Sequence, residues 1–134
     1  MSQSEVGSAG SVSRVQCSLA VRGRGEARLS IYRHLAPLTV NAVLRTLPIE
    51  SRVSVQPAMV SLFTQIRVGV EKPRTNLVRG DVAFLASGGL ICVFLKAVTS
   101  DRPLNPLGRI DSGQDTLDGV RPGDVIRVSL LAQG

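Results

Sequence analysis

Residues 34–49 are the one segment of this chain with the periodicity of a long amphipathic helix, while most other segments have the periodicity of strands. We expect this helix to run from about Pro37 to Leu47. Proline suits the first turn, where its missing N–H would have no partner, and Pro48 conflicts sterically with helix continuation. One face carries the apolar positions i, i+3, i+4 and i+7, which are Val40, Val43, Leu44 and Leu47. A one-sided helix in a β-rich chain has to bury its stripe against a sheet, so it should cap the end of a barrel or sandwich.

Alternation of apolar and polar residues predicts strands on both sides of this helix. They are expected over residues 15–21, 27–31, 53–55, 60–70, 82–85, 90–95, 108–110 and 125–131. The run from Leu90 to Leu95 does not alternate, which predicts a strand buried on both faces. Residues 98–107 contain Pro103 and Pro106 and are expected to form a long loop. A short second helix is expected at about residues 115–119.

The length and apolar content of the chain limit the number of domains that it can form. At 134 residues and 43% hydrophobic content, it can bury a core of its own. We expect a single domain over residues 14–132 and a flexible N-terminal arm over the small, polar residues 1–13. The sequence has no secretory-signal pattern, and its longest apolar run is far shorter than the about 20 residues that span a bilayer. A cytoplasmic protein with no membrane partner is therefore expected.

The charge of the chain is positive and comes from arginine. The net charge is +6, with fourteen arginines and two lysines. Such a balance permits binding to polyanions, but the arginines are scattered, which favours a solvated surface. Aromatic residues make up 3% and tryptophan is absent, so few side chains are available to stack on bases. Weak nucleic-acid association through scattered arginines is a further alternative, and genomic base composition is another explanation of the arginine bias.

Metal-dependent and nucleophilic chemistry find little support in the sequence. The one histidine, His34, and the two cysteines, Cys17 and Cys92, stand at unrelated positions, so no zinc-ligand spacing arises. Both cysteines lie in apolar runs and are expected to be buried thiols, and His34 is expected at the surface or at a cap. The carboxylates nearest to a cation pattern lack its spacing: Asp111, Asp115 and Asp118. No serine elbow or phosphate loop is present. The sequence predicts no metal and no cofactor.

The order of the elements resembles a known family. A strand, a hairpin and a second strand lead into Ala-Pro-Leu-Thr-Val at residues 36–40, which is similar to the A-P-x-T-V helix start of cyclophilins. Leu-Gly-Arg-Ile at residues 107–110, followed by a short helix and a last strand, resembles the cyclophilin F-G-[KR]-V segment. Gly-Asp-Val-Ala-Phe at residues 80–84 resembles more closely a small cyclophilin-like family of unknown function from archaea and bacteria.

This resemblance covers about residues 15–131 and implies a mainly β fold. The implied architecture is a closed eight-stranded cyclophilin-like β-barrel, with the main helix (about 37–47) capping one end and a short second helix (about 115–119). Members of the small family tend to carry Trp-Gly and an acidic residue after the third strand. Residues 56–59 of this chain are Gln-Pro-Ala-Met, so the ligand chemistry of that motif is not carried over.

Cyclophilins are peptidyl-prolyl isomerases, which need an apolar pocket for the proline ring and an arginine that stabilises the twisted amide. When Gln65 is aligned with the family glutamine, Leu62 and Phe63 fall in the pocket, and Leu90 takes the place of a central-strand phenylalanine. Pro57 stands where the arginine should be, with Arg52 as the nearest candidate. The family tryptophan and histidine are also missing from residues 98–107.

The resemblance therefore implies a protein that binds a small ligand or a peptide, without catalysis, in a surface cleft of the barrel. Prolyl isomerisation is the enzymatic alternative. The expected walls of the cleft are Arg52, Gln56, Met59, Phe63, Gln65, Phe84, Leu90 and Arg102. Of these, Arg52 and Arg102 are expected to contact an anion or a carbonyl group. The sequence leaves the ligand and the oligomeric state open.

Overall fold

The computed structural model describes residues 13–131. The strands are β1 (Arg14–Val21), β2 (Gly25–Tyr32), β3 (Ile49–Val55), β4 (Met59–Phe63), β5 (Arg74–Leu77), β6 (Asp81–Leu85), β7 (Leu90–Phe94), β8 (Val98–Ser112) and β9 (Val125–Leu130). The helices are α1 (Pro37–Thr46) and α2 (Gln114–Asp118), and a 3-10 turn spans Arg33–Leu35. Apart from Ser13, the predicted N-terminal arm lies outside the described residues. No helix within residues 13–131 is long and apolar enough to cross a membrane.

Eight of the strands form a closed antiparallel barrel. Their order is β2-β1-β9-β3-β4-β7-β6-β8, and β8 pairs with β2 to close the ring. The ninth strand, β5, pairs with β8 outside the ring. The structure therefore confirms the predicted fold class, a mainly β, closed eight-stranded cyclophilin-like barrel with one longer and one short helix.

The closure between β2 and β8 depends on a close approach of two backbones. Gly108 lies opposite Ile31 in this pairing. A Cβ atom added to Gly108 would lie 1.8 Å from the carbonyl oxygen of Ser30, so no side chain fits there. The barrel can close in this register because residue 108 is glycine.

Buried apolar residues form two clusters, one inside the barrel and one on its outer face. Along β7, Ile91 and Val93 join the inner cluster, whereas Cys92 and Phe94 join the outer cluster. The short arm formed by β5 and the start of β8 adds Leu77, Leu104 and Val98 to the outer cluster. The prediction that this strand is buried on both faces is confirmed, since a strand with apolar neighbours on both sides has no reason to alternate.

The main helix packs as predicted. Val40 and Val43 are 0% and 1% exposed in the inner cluster, and Leu44 and Leu47 pack partly buried against it. Helix α1 ends at Thr46, and Leu47 adopts an extended conformation before a cis peptide bond to Pro48. A proline disfavours helical geometry in the residue before it, which accounts for the position of the helix end.

One strand prediction and one loop prediction are wrong. Strand β4 ends at Phe63, so residues 64–70 of the predicted strand do not pair in a ladder; burial alternates only as far as Val68, and Val70 is exposed. The Thr64 amide and hydroxyl both donate to the carbonyl oxygen of Gly89, at 2.8 and 2.9 Å, and the Thr64 hydroxyl accepts from the Ile66 amide at 3.1 Å. Residues 98–107 are not a loop but the first part of the 15-residue strand β8.

Strand β8 tolerates its prolines because it changes partners along its length. It pairs with β5, then with β6, then with β2, and the register shifts in each of these pairings. At such irregularities a residue without an N–H group breaks no regular ladder. No strand was expected between residues 70 and 82, yet this segment contains β5, a strand of only four residues.

Candidate ligand-binding cleft

A cleft of about 540 Å³ opens on the outer face of the barrel, where the β3–β4 turn faces the start of β8. We call it the outer cleft. It is lined by Gln56, Pro57, Ala58, Met59, Leu85, Leu90, Cys92, Phe94, Val98, Thr99, Ser100, Asp101, Arg102 and Leu104. Its volume lies in the range of small-molecule sites, about 300–1,000 Å³.

The floor of the outer cleft is apolar and continuous with the outer cluster. Phe94 and Cys92 are 2% and 0% exposed, and the partly exposed side chains of Met59 and Leu90 pack against that cluster. A ligand group placed here would contact side chains that are already held by packing. The floor therefore presents a preformed apolar surface, which lowers the entropic cost of binding.

The rim of the outer cleft is polar. The Ser100 hydroxyl donates to the Arg102 carbonyl oxygen at 2.8 Å and accepts from the Arg102 amide at 3.0 Å, near the start of β8. Asp101 and Arg102 are exposed on this part of the strand, beside the apolar floor. Within residues 13–131, the side chains of Gln56, Asp101 and Arg102 form no hydrogen bond or ion pair, which leaves them available to a ligand.

The structure brings four of the eight expected wall residues together. Gln56, Met59, Leu90 and Arg102 all line the outer cleft. Phe84 does not, because it is 0% exposed inside the barrel. Strand β6 is apolar on both faces, so periodicity alone could not show that Phe84 points inward.

The other three expected residues lie elsewhere. Phe63 is paired with Leu90 across β4 and β7, but it is 60% exposed and, together with Gln65, borders smaller cavities of about 460 and 330 Å³. Leu62, expected beside Phe63 in the pocket, is 0% exposed within the inner cluster. Arg52 lies on β3, where its Nη1 donates to the Gly123 carbonyl oxygen at 3.3 Å. The pocket aligned with the cyclophilin glutamine is therefore not formed around Gln65.

A buried polar network holds the start of α1. No pattern in the sequence indicated it. Asn105 is 0% exposed, and its Nδ2 donates to Thr39 Oγ1 and to the Gly69 carbonyl oxygen, both at 2.9 Å. Its Oδ1 accepts from the Glu71 amide at 2.8 Å. The Glu71 carboxylate in turn accepts from the amides of Leu38 and Thr39, at 3.0 and 2.9 Å, and from the Thr39 hydroxyl at 2.8 Å.

This network explains the conformation of residues 64–73 and the charge state of Glu71. Burial acts to raise the pKa of Glu71, but the hydrogen bonds from Leu38 and Thr39 outweigh it and lower the pKa below its ordinary value. The carboxylate caps the first turn of α1 from a segment 32 residues further along the chain. Thr39 of the A-P-x-T-V motif was the only signal in the sequence, and nothing local indicated its partners.

The outer cleft is suited to binding rather than to nucleophilic chemistry. Burial raises the pKa of Cys92 to about 12, so this thiol stays protonated, and His34 does not line the cleft. No group of three or more metal-ligating side chains occurs in the part of the chain that the structure describes. An apolar floor with amide, carboxylate and guanidinium groups at its rim can hold an apolar moiety and hydrogen-bond the polar groups next to it.

A closed eight-stranded antiparallel barrel, with a helix packed against its core and a cleft on its outer face, defines a cyclophilin-type barrel protein. The sequence model of a family described as Cyclophilin-like matches residues 16–129. The chain therefore belongs to the cyclophilin-like family. Its structure is similar to the solution structure of the hypothetical protein AF2241 from Archaeoglobus fulgidus, with a TM-score of 0.75, 25% identity and coverage of 89% of this chain and 96% of that chain. A search of the curated proteins found no match.

Proposed function

We propose that this protein binds a small ligand or a short peptide in the outer cleft without transforming it. The observation that carries the proposal is that three segments of the chain bring Gln56, Met59, Leu90 and Arg102 together around one cavity of about 540 Å³. The floor is apolar, and the side chains of Gln56, Asp101 and Arg102 at the rim form no hydrogen bond or ion pair within the described residues. A small number of polar groups that converge above an apolar surface is typical of a binding site.

The arrangement of floor and rim favours a short extended peptide with one apolar side chain. That side chain fits on Met59 and Leu90, while Arg102 donates to a carbonyl oxygen and Asp101 accepts from an amide. A peptide carries these groups side by side in every residue. The matching chemistry supports the peptide as ligand class, with no bond made or broken.

The test is an NMR titration of the full chain with a panel of tetrapeptides that differ in their central apolar residue, including Ala-Ala-Pro-Phe. We expect amide shifts confined to residues 56–59, 90–94 and 98–104. Leu90→Ala should weaken binding about tenfold, because it removes roughly 1.4 kcal/mol of apolar contact. Leu38→Ala is the matched control, since Leu38 is 74% exposed on α1, and it should bind as the wild type does.

Shifts centred away from the outer cleft, or equal weakening by Leu38→Ala and Leu90→Ala, would contradict the proposal. If the amide shifts saturate with none of the tetrapeptides, the ligand is not a short peptide.

Prolyl isomerisation is the alternative to binding without catalysis. Arg52 was the arginine expected to serve it, but the arginine beside the apolar floor is Arg102. Exchange NMR on Ala-Ala-Pro-Phe should show no acceleration of cis–trans exchange by the wild type. Acceleration that Arg102→Ala abolishes and Arg52→Ala preserves would make the protein an isomerase.

A further inference from the structure

A second cavity, of about 590 Å³, lies between the end of β2 and the outer strand β5. We call it the edge cavity, and it shares no lining residue with the outer cleft. Both the only tyrosine and the only histidine of the chain line it. The rings of Tyr32 and His34 have centroids 5.9 Å apart and are tilted by 60°.

The floor of the edge cavity is apolar and largely buried. It is formed by Leu35, Leu77, Val82, Ala83 and Pro106. Leu77, Val82 and Ala83 are at most 3% exposed, so their positions are set by packing in the two clusters. Together with the two tilted rings, this floor gives a surface against which a planar apolar body can pack.

The charges around the edge cavity do not cancel. The Asp81 carboxylate binds the Arg109 guanidinium and accepts from the Val78 amide at 2.8 Å, so Asp81 and Arg109 neutralise each other. Arg74 also lines the cavity, yet within residues 13–131 its guanidinium forms no hydrogen bond or ion pair. Lys72 is bound near the rim, where its Nζ donates to the His34 carbonyl oxygen at 3.1 Å. The cavity is therefore electropositive, with Arg74 as its uncompensated charge.

We infer that the edge cavity binds a small organic anion, consisting of a planar apolar body that carries one carboxylate or phosphate. The apolar body packs between the Tyr32 and His34 rings and the floor, and the anionic group is held by Arg74. A guanidinium matches the paired oxygens of either anion with two parallel hydrogen bonds. The inference is independent of the peptide in the outer cleft.

The sole tyrosine and sole histidine make the test specific, because the aromatic carbon–proton resonances of Tyr32 and His34 can come from no other residue. The full chain is titrated separately with benzoate and with phenyl phosphate. Benzyl alcohol, which has the ring without the charge, and inorganic phosphate, which has the charge without the ring, are the comparison compounds. Both residues should shift and saturate with at least one of the two organic anions, with a Kd below about 1 mM. The anion that binds more tightly identifies the ligand class.

Arg74→Gln should weaken this binding at least tenfold, and Tyr32→Leu should weaken it as well. Arg45→Gln is the matched control, because Arg45 is exposed on α1 and does not line the cavity. Unchanged amide spectra elsewhere establish that the variants are folded. Absence of shifts at 10 mM of both anions overturns the inference, as does equal binding of benzyl alcohol or unchanged affinity in Arg74→Gln.

Discussion

Asn105 is the polar residue on which three separate parts of the chain converge. Its amide joins Thr39 on α1, Gly69 and Glu71 in the unpaired segment, and its own strand β8. A fully buried amide is costly unless its donors and acceptor are bonded, and here the two donated bonds and one accepted bond satisfy it. Residues 64–73 have no strand partner, and the hydrogen bonds that join Asn105 to Gly69 and Glu71 hold this segment in place.

Glu71→Gln should lower the free energy of unfolding by about 1 kcal/mol near neutral pH, because the charged carboxylate that caps α1 is lost. The folded pKa of Glu71 lies below its ordinary value of 4.5. Its stabilising effect is therefore fully present above the unfolded pKa and is lost as the pH falls through the folded pKa. Urea unfolding of both proteins should show a difference that shrinks in acid.

Glu50→Gln is the control for this experiment, since Glu50 is exposed and makes only a 3.4 Å ion pair with Arg22. It should change stability little at any pH. A cost of Glu71→Gln that is the same in acid and at neutral pH would show that the negative charge is not the source of the effect.

Sequence patterns did not fix the orientation of every residue expected in the cleft. Gln56, Met59, Leu90 and Arg102 line one cavity, whereas Phe84 lies inside the barrel. Alternation identifies a face only when the other face is polar, and β6 is apolar on both. The Glu71 cap lies 32 residues from Thr39, a separation at which local patterns carry no information.

Among the elements, β8 does the most to define the molecule. It closes the barrel against β2, continues the sheet beside β6 and carries β5 on its outer side. The main helix and most barrel strands can be predicted from the sequence because they follow a period of 3.6 or 2. Residues 98–107 of β8 have the sequence of a loop, because Pro103 and Pro106 signal irregular structure and the tertiary pairing that tolerates them is not local.

Gly108→Ala should lower the free energy of unfolding by about 3 kcal/mol or prevent folding, because the added Cβ would lie 1.8 Å from the Ser30 carbonyl oxygen. The two strands that close the barrel would have to separate. Urea unfolding is the measurement. Gly69→Ala is the matched control, since no atom lies within 4 Å of a Cβ at Gly69, and it should stay within about 1 kcal/mol of the wild type. Equal stability of the two variants would mean that the approach of β2 and β8 can relax.

The two apolar clusters divide the protein into the barrel and the short arm formed by β5 and the start of β8. The inner cluster draws on every barrel strand and on α1, whereas the outer cluster is small and covered by β5 and the start of β8. Opening of the arm exposes less apolar surface than opening of the barrel, so it requires less free energy. The outer cleft lies over the part that opens more easily.

The two cysteines report on these two parts, because Cys17 belongs to the inner cluster and Cys92 to the outer cluster. Burial raises the pKa of Cys17 to about 11 and that of Cys92 to about 12, from 9.0. Both thiols therefore stay protonated and buried in the native state, and labelling requires opening. Maleimide labelling followed by mass spectrometry should modify Cys92 before Cys17, and both far more slowly than in urea. Equal rates would indicate that the clusters open together.

Part of the positive charge of the chain is compensated by ion pairs. Five arginines are paired with carboxylates: Arg22, Arg24, Arg28, Arg79 and Arg109. Hydrogen bonding to the Asp118 carboxylate raises the pKa of Arg79, which stays a cation within that pair. Nucleic-acid association through scattered arginines remains a prediction, and affinity that falls steeply with salt would be its signature.

A closed ring offers no strand edge to another chain, and β5 reintroduces one. Its outer side carries unpaired backbone groups that could template the growth of a sheet between molecules. Edge strands in natural proteins are often short or charged, which disfavours such pairing. Strand β5 has both properties, because it has four residues and begins with the exposed Arg74. Arg74, which makes the edge cavity electropositive, also places a positive charge at this edge, and like charges oppose the pairing of two copies of the strand. One side chain thus serves recognition and protection from aggregation.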